Sequence, residues 1–161
     1  MRYIQRPVGR DGVDGKGDGL AVAENECAAC VELKFPCRPE YVGVARLAIL
    51  GVASRMKFSY DEVEDVRLAV GEACTTSVEW AERNGKTDSQ IILRSEIGQE
   101  KLVVDIFDQA GDRADDSRAG ESEQESENLG ALLITLLVDE VTVSPHDGGT
   151  HVRMVKYARQ R

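Results

Sequence analysis

A capping box fixes one element of this chain before anything else is read. In Ser59-Tyr60-Asp61-Glu62 the serine hydroxyl can accept the third amide of a helix, and the glutamate can reach back to the amide of the serine itself, the N-cap. The helix it opens covers about 60–81, because Val63, Val66, Val70, Ala73 and Ser77 recur on one face. Asn84-Gly85 ends it in a turn. Such a face has to be buried against another layer.

The flanking sequence supplies that layer. Val31, Leu33 and Phe35 alternate with Glu32 and Lys34, the period of a half-buried strand. Pro36 and Pro39 stop it, and Pro39 suits the first turn of a helix over 39–56 with Val42, Ala45, Ile49 and Val52 inward. Two strands over 90–97 and 102–107, joined by Gly98-Gln99-Glu100, read as a hairpin. A polar, acid-rich stretch follows at 108–127 and reads as a lid loop. A helix over 129–138 offers Leu132, Leu133, Leu136 and Leu137 for burial. Strands over 141–143 and 150–157, separated by the turn His146-Asp147-Gly148-Gly149, complete the order. The expected fold is an α/β (α+β) sandwich, a mixed and mostly antiparallel sheet with helices on one face. Residues 1–29 are glycine-rich and charged, so they read as a flexible tail before one domain over 30–161.

Composition narrows the function. Aromatics make up only 5% of the chain, so aliphatic side chains must build the core. The net charge of −9 argues against direct nucleic-acid binding, which needs clustered cations, and suits a basic protein partner. The start lacks an apolar leader core and no run is long enough to span a membrane, so a cytoplasmic protein is expected. Cys27-x-x-Cys30 has no second pair to complete a zinc site; reduced thiols are expected, with a redox-sensing role for the pair as a minor reading.

The strings FPCRPEYVGVARLAILGVA, LAVGEACT, LLITLLVDEV and GGTHVRMVK give a resemblance. Over about 31–156 the chain resembles the anti-sigma regulatory serine kinases of RsbW type, within the GHKL superfamily of histidine kinase-like ATPases, whose fold is the Bergerat fold. The resemblance implies four site elements. Glu72 matches the family acid that handles a proton, and Thr76 stands where an Asn carbonyl binds Mg²⁺, with Trp80 where a His is common. Asp108 matches the acid that accepts the adenine amino group; Ala110 and Asp112 take glycine positions, and a one-residue shift lets Gly111 serve instead. Gly130, in Asn128-Leu129-Gly130, matches the glycine-rich entry to a helix whose amides meet phosphates. Thr150 matches the Thr beside adenine.

By resemblance, ATP and Mg²⁺ are the cofactors, with a site degenerate in its Asn, His and most glycines. The leading expectation is an anti-sigma factor of a stress response. It sequesters an alternative sigma factor, and a STAS-type antagonist releases it by partner switching. The alternative is an active serine/threonine kinase that phosphorylates that antagonist, with Glu72 as base. Homodimers are common in the family.

Overall fold

The structure, a computed structural model, describes residues 2–4, 29–111 and 120–159. Its elements in chain order are β1 (Arg2–Ile4), β2 (Ala29–Pro36), α1 (Pro39–Ala53), α2 (Tyr60–Arg83), β3 (Gln90–Ile97), β4 (Lys101–Asp108), α3 (Glu121–Leu137), β5 (Glu140–His146) and β6 (Gly149–Tyr157). The strands form one sheet in the order β1-β2-β3-β4-β6-β5, and every neighbouring pair is antiparallel.

The capping box forms as the sequence predicts. Ser59 Oγ accepts the Glu62 amide at 3.2 Å, and Glu62 Oε2 accepts the Ser59 amide at 2.7 Å. Pro39 opens α1, where its missing N–H leaves no extra donor unpaired. α1 buries its predicted stripe, Val42, Ala45, Ile49 and Val52, and α2 buries Val66, Val70, Ala73 and Ser77 of its own, with Val63 half-buried against the same core.

Strand alternation sorts the sheet into two faces. Phe35, Ile91, Leu93, Leu102, Val104, Ile106, Val152 and Met154 point toward the helices and join one core. Each fully buried aliphatic side chain of this kind contributes about 1.5–3 kcal/mol. The other face carries charge. There Asp105 accepts Arg153 Nη1 at 3.0 and 3.1 Å and lies 2.7 Å from His151 Nε2. Buried Lys156 ties three elements together: its Nζ donates to Asp65 of α2 at 3.1 Å and to the Leu137 carbonyl ending α3 at 2.7 Å.

Three expectations are corrected. Arg2–Ile4, expected within a tail, pairs with β2 as an edge strand; residues 5–28, including Cys27, lie outside the described residues. Helix α3 starts at Glu121, so the segment 121–127 expected as lid loop is helical, while 112–119 lie outside the described residues. Of the leucines expected to be buried on that helix, Leu132, Leu133 and Leu136 are exposed, and Gly130 and Ile134 face inward instead. The run is apolar all round, so its pattern did not fix the inner face.

Candidate functional site

The site is built where α2 crosses the end of β4. Asp108 is the last residue of that strand and is 1% exposed. Its carboxylate accepts Ser77 Oγ at 2.8 Å on Oδ2, and the Ala110 and Thr150 amides at 3.2 Å each on Oδ1. Two of these donors come from separate elements, Ser77 from α2 and Thr150 from β6. The carboxylate is therefore held in one orientation by the packing of helix on sheet.

The turn after β4 resolves the glycine question. Ala110 is not at positive φ, so the methyl group there carries no left-handed strain. Gly111 has φ 112°, a conformation that favours glycine. Trp80 Nε1 donates to the Ala110 carbonyl at 3.1 Å and fixes this turn, while the Arg83 guanidinium lies 5.3 Å from the Trp80 ring centre. The indole at this position thus supports the turn from beneath, buried at 4% exposure.

Gly149 makes the same corner possible. A Cβ there would lie 2.6 Å from the Asp108 carbonyl carbon and 2.9 Å from Gln109 Cα. No side chain fits between those strands, so β6 approaches Asp108 closely enough for the Thr150 amide to bond it.

Glu72 and Thr76 share one face of α2, half-buried, one turn apart. The Thr76 hydroxyl donates to the Glu72 backbone carbonyl at 3.0 Å, so toward any other group its oxygen can act only as an acceptor. The Glu72 carboxylate lies against Gly130: a Cβ there would meet Glu72 Oε1 at 2.5 Å. Gly130 therefore permits close contact of α3 with the acid. Because α3 runs unbroken from Glu121, the amides at 128–130 lie inside the helix and bond its own carbonyls. Glu127 pairs with Arg83 and clamps the early part of α3 to the end of α2.

The structure thus gathers the sequence-predicted residues into two linked sets. Asp108, Gly111 and Thr150 form one with Ser77; Glu72, Thr76 and Gly130 form the other, and the neighbours Thr76 and Ser77 join them along α2. Ser77, Trp80 and Gly149 were not read as site residues in the sequence. The signal for Ser77 was a hydroxyl inside an otherwise aliphatic stripe, which in a core demands a partner. Beneath the site, burial pushes the Cys74 thiol up to about 12, with Cys37 and Asp108 adding to the effect.

The family described as the histidine kinase-like ATPase domain matches residues 35–156. The serine-protein kinase RsbW of Bacillus subtilis (strain 168) is 40% identical over 138 residues, covering 79% of this chain and 84% of its own. That of Listeria monocytogenes serotype 4a (strain HCC23) is 35% identical over 148 residues, covering 81% and 88%. Among solved structures, the RsbU and RsbW domains of a Mycobacterium tuberculosis protein align with a TM-score of 0.61 at 12% identity, over 80% of this chain and 32% of that one. At that identity the likeness speaks for the fold alone.

Proposed function

The chain belongs to the RsbW-type histidine kinase-like ATPase family, and from that premise we propose that it is a cytoplasmic anti-sigma factor. It binds an alternative sigma factor, withholds it from RNA polymerase, and releases it when a STAS-type antagonist takes its place. It acts as a homodimer. Among the described residues no helix is long and apolar enough to cross a membrane, which suits a partner in the same compartment as the polymerase. The net charge of −9 suits the basic, DNA-facing surfaces of sigma factors.

The observation that carries the reading is Asp108, held by Ser77, Ala110 and Thr150 at the sheet's end, one helix face from Glu72. A buried carboxylate oriented by donors from both helix and sheet suits recognition of an adenine amino group. The phosphate end is built differently. With α3 helical through Gly130, its amides are bonded within the helix, which favours protein binding over turnover.

The second reading is an active serine kinase acting on the antagonist. It is favoured by the intact Glu72, which stands on an exposed-edge face of α2 where it could take the proton of an attacking hydroxyl. In that reading Asp108 binds the adenine amine, and Thr76 offers its hydroxyl oxygen to Mg²⁺. Bound Mg·ATP would supply the phosphoryl group and neutralise its charge.

Transcription directed by purified alternative sigma factors of the source organism tests the first reading. One of them should be inhibited by the chain and restored by a STAS-type protein; no effect on any would overturn it. A thermal-shift titration with Mg·ATP separates the two readings. Ligand at about 100 times its Kd stabilises by roughly 2.7 kcal/mol. A shift together with radiolabel transfer to the antagonist establishes the kinase. Sigma inhibition without a shift leaves a pure binding protein.

A further inference from the structure

The outward face of α3 is an apolar stripe with nothing over it among the described residues. Leu129, Leu132, Leu133 and Leu136 are exposed at 66%, 54%, 41% and 74%. Their spacing of i, i+3, i+4 and i+7 lines them up along one side of the helix. The opposite side, with Gly130 and Ile134, is buried against α2 and the sheet. A contiguous stripe of this size marks an interaction site far more often than chance exposure of single leucines does.

The flanking charges say what fits. Glu125 is exposed one turn before Leu129, and Asp139 and Glu140 are exposed just past Leu136. Between Arg118 and Arg153 the sequence contains no Lys or Arg at all. A second copy of the chain is a poor occupant. Packed in parallel, two α3 helices would set Glu125 against Glu125 and Asp139 against Asp139. Packed antiparallel, they would set Glu125 against Asp139 and Glu140. Like charges would meet at both ends in either case, and that disfavours the pairing.

We propose that this face of α3 docks an amphipathic helix of a different protein, one that carries its own apolar stripe with Lys or Arg at both ends. Leucines from the two stripes interdigitate, and the basic ends meet Glu125 and Asp139/Glu140. The face is separate from the Glu72–Asp108 site. Its leucines lie on the side of α3 opposite Gly130, the residue that touches Glu72.

Two fluorescein-labelled synthetic peptides test it with the full chain. Both carry one leucine stripe; one has Lys and Arg at its ends and the other has Glu. Fluorescence anisotropy should show the basic peptide binding at least about tenfold tighter than the acidic one. The variant L132E/L136E should lose that binding by a similar factor while keeping its melting temperature. The charge-reversed variant E125K/E140K, which leaves the leucines intact, should instead prefer the acidic peptide. Equal binding of the two peptides, or binding of neither, would overturn the proposal. So would a wild-type dimer, seen by light scattering, that L132E/L136E splits into monomers, since a second copy would then own the face.

Discussion

Gly149→Ala tests the close approach on which the site rests. The added Cβ would stand 2.6 Å from the Asp108 carbonyl carbon and closer still to its oxygen. These are backbone atoms of the neighbouring strand, so no side-chain rotation relieves the overlap. Strand β6 must move away from β4 at this end. Overpacking of this kind costs about 1–3 kcal/mol. The same movement lengthens the bond from the Thr150 amide to Asp108 Oδ1, already 3.2 Å, in a buried setting. Leaving such a group unpaired adds about 1–3 kcal/mol. A total near 3 kcal/mol is expected, which for a chain of this size lowers the melting temperature by roughly 6–12 °C. Gly148→Ala is the internal control. Its φ is 74° but nothing lies within 4 Å of a Cβ there, so only left-handed strain of about 1–2 kcal/mol applies. Circular-dichroism melts of both variants decide the matter. A Gly149→Ala protein that melts within about 2 °C of wild type, or above Gly148→Ala, would refute the steric argument.

Ser77→Ala removes a hydroxyl donor from buried Asp108, and a urea midpoint should register a loss of about 1–3 kcal/mol. Cys74, with its thiol pushed up to about 12 by burial, should stay unmodified by iodoacetamide at pH 8 in the native state and react once the chain is unfolded; mass spectrometry reads the site. The Ser59 amide, then the Ser59 hydroxyl, Lys156 and Arg159, hold Glu62 below the usual value of 4.5 against the opposing effect of burial. Its depressed folded value means a stabilisation present above pH 4.5 and lost as pH falls through that lower value, so Glu62→Gln should be less stable at neutral pH and converge on wild type in acid. Arg83→Gln breaks the clamp to Glu127, and hydrogen exchange should quicken at the start of α3 while the strands keep their protection.

The sequence disclosed whatever local chemistry decides. The capping box at Ser59 and Glu62 is a contact within one turn, and the strand expected over 90–97 has those bounds in the structure. What depended on a distant partner stayed hidden. The acids at 121–127 suggested a loop because eight acids crowd the stretch from Asp108 to Glu127 with few bases. Glutamates are nonetheless good helix formers, and Arg83, remote in sequence, supplies the counter-charge to Glu127. The inner face of α3 was unreadable because every side of LLITLL is apolar; contact between Gly130 and Glu72 chooses it. Asp108 was found, and so was the one-residue shift after it: the left-handed residue is Gly111 and not Ala110.

Helix α3 places two demands on one element. Phosphates can meet the amides at Asn128–Gly130 only if the helix begins there, as a helix start leaves its first four N–H groups unpaired. Here the helix begins two turns earlier, at Glu121, and Glu127 anchors that extension to Arg83. Binding nucleotide through those amides would therefore unwind 121–127 and release the ion pair. It would also remove Glu125 from one end of the leucine stripe, because that residue is placed beside Leu129 only by helical geometry. If the stripe docks a basic helix as proposed, nucleotide and partner pull the same segment in opposite directions. Linkage makes the coupling reciprocal: a partner that holds α3 intact through Glu125 weakens nucleotide by the factor by which nucleotide weakens the partner. Leu132, Leu133 and Leu136 lie beyond the unwound part, so the apolar contact would persist and only the acidic end would be lost. Nucleotide would then loosen this partner by the worth of one charged end, without ejecting it.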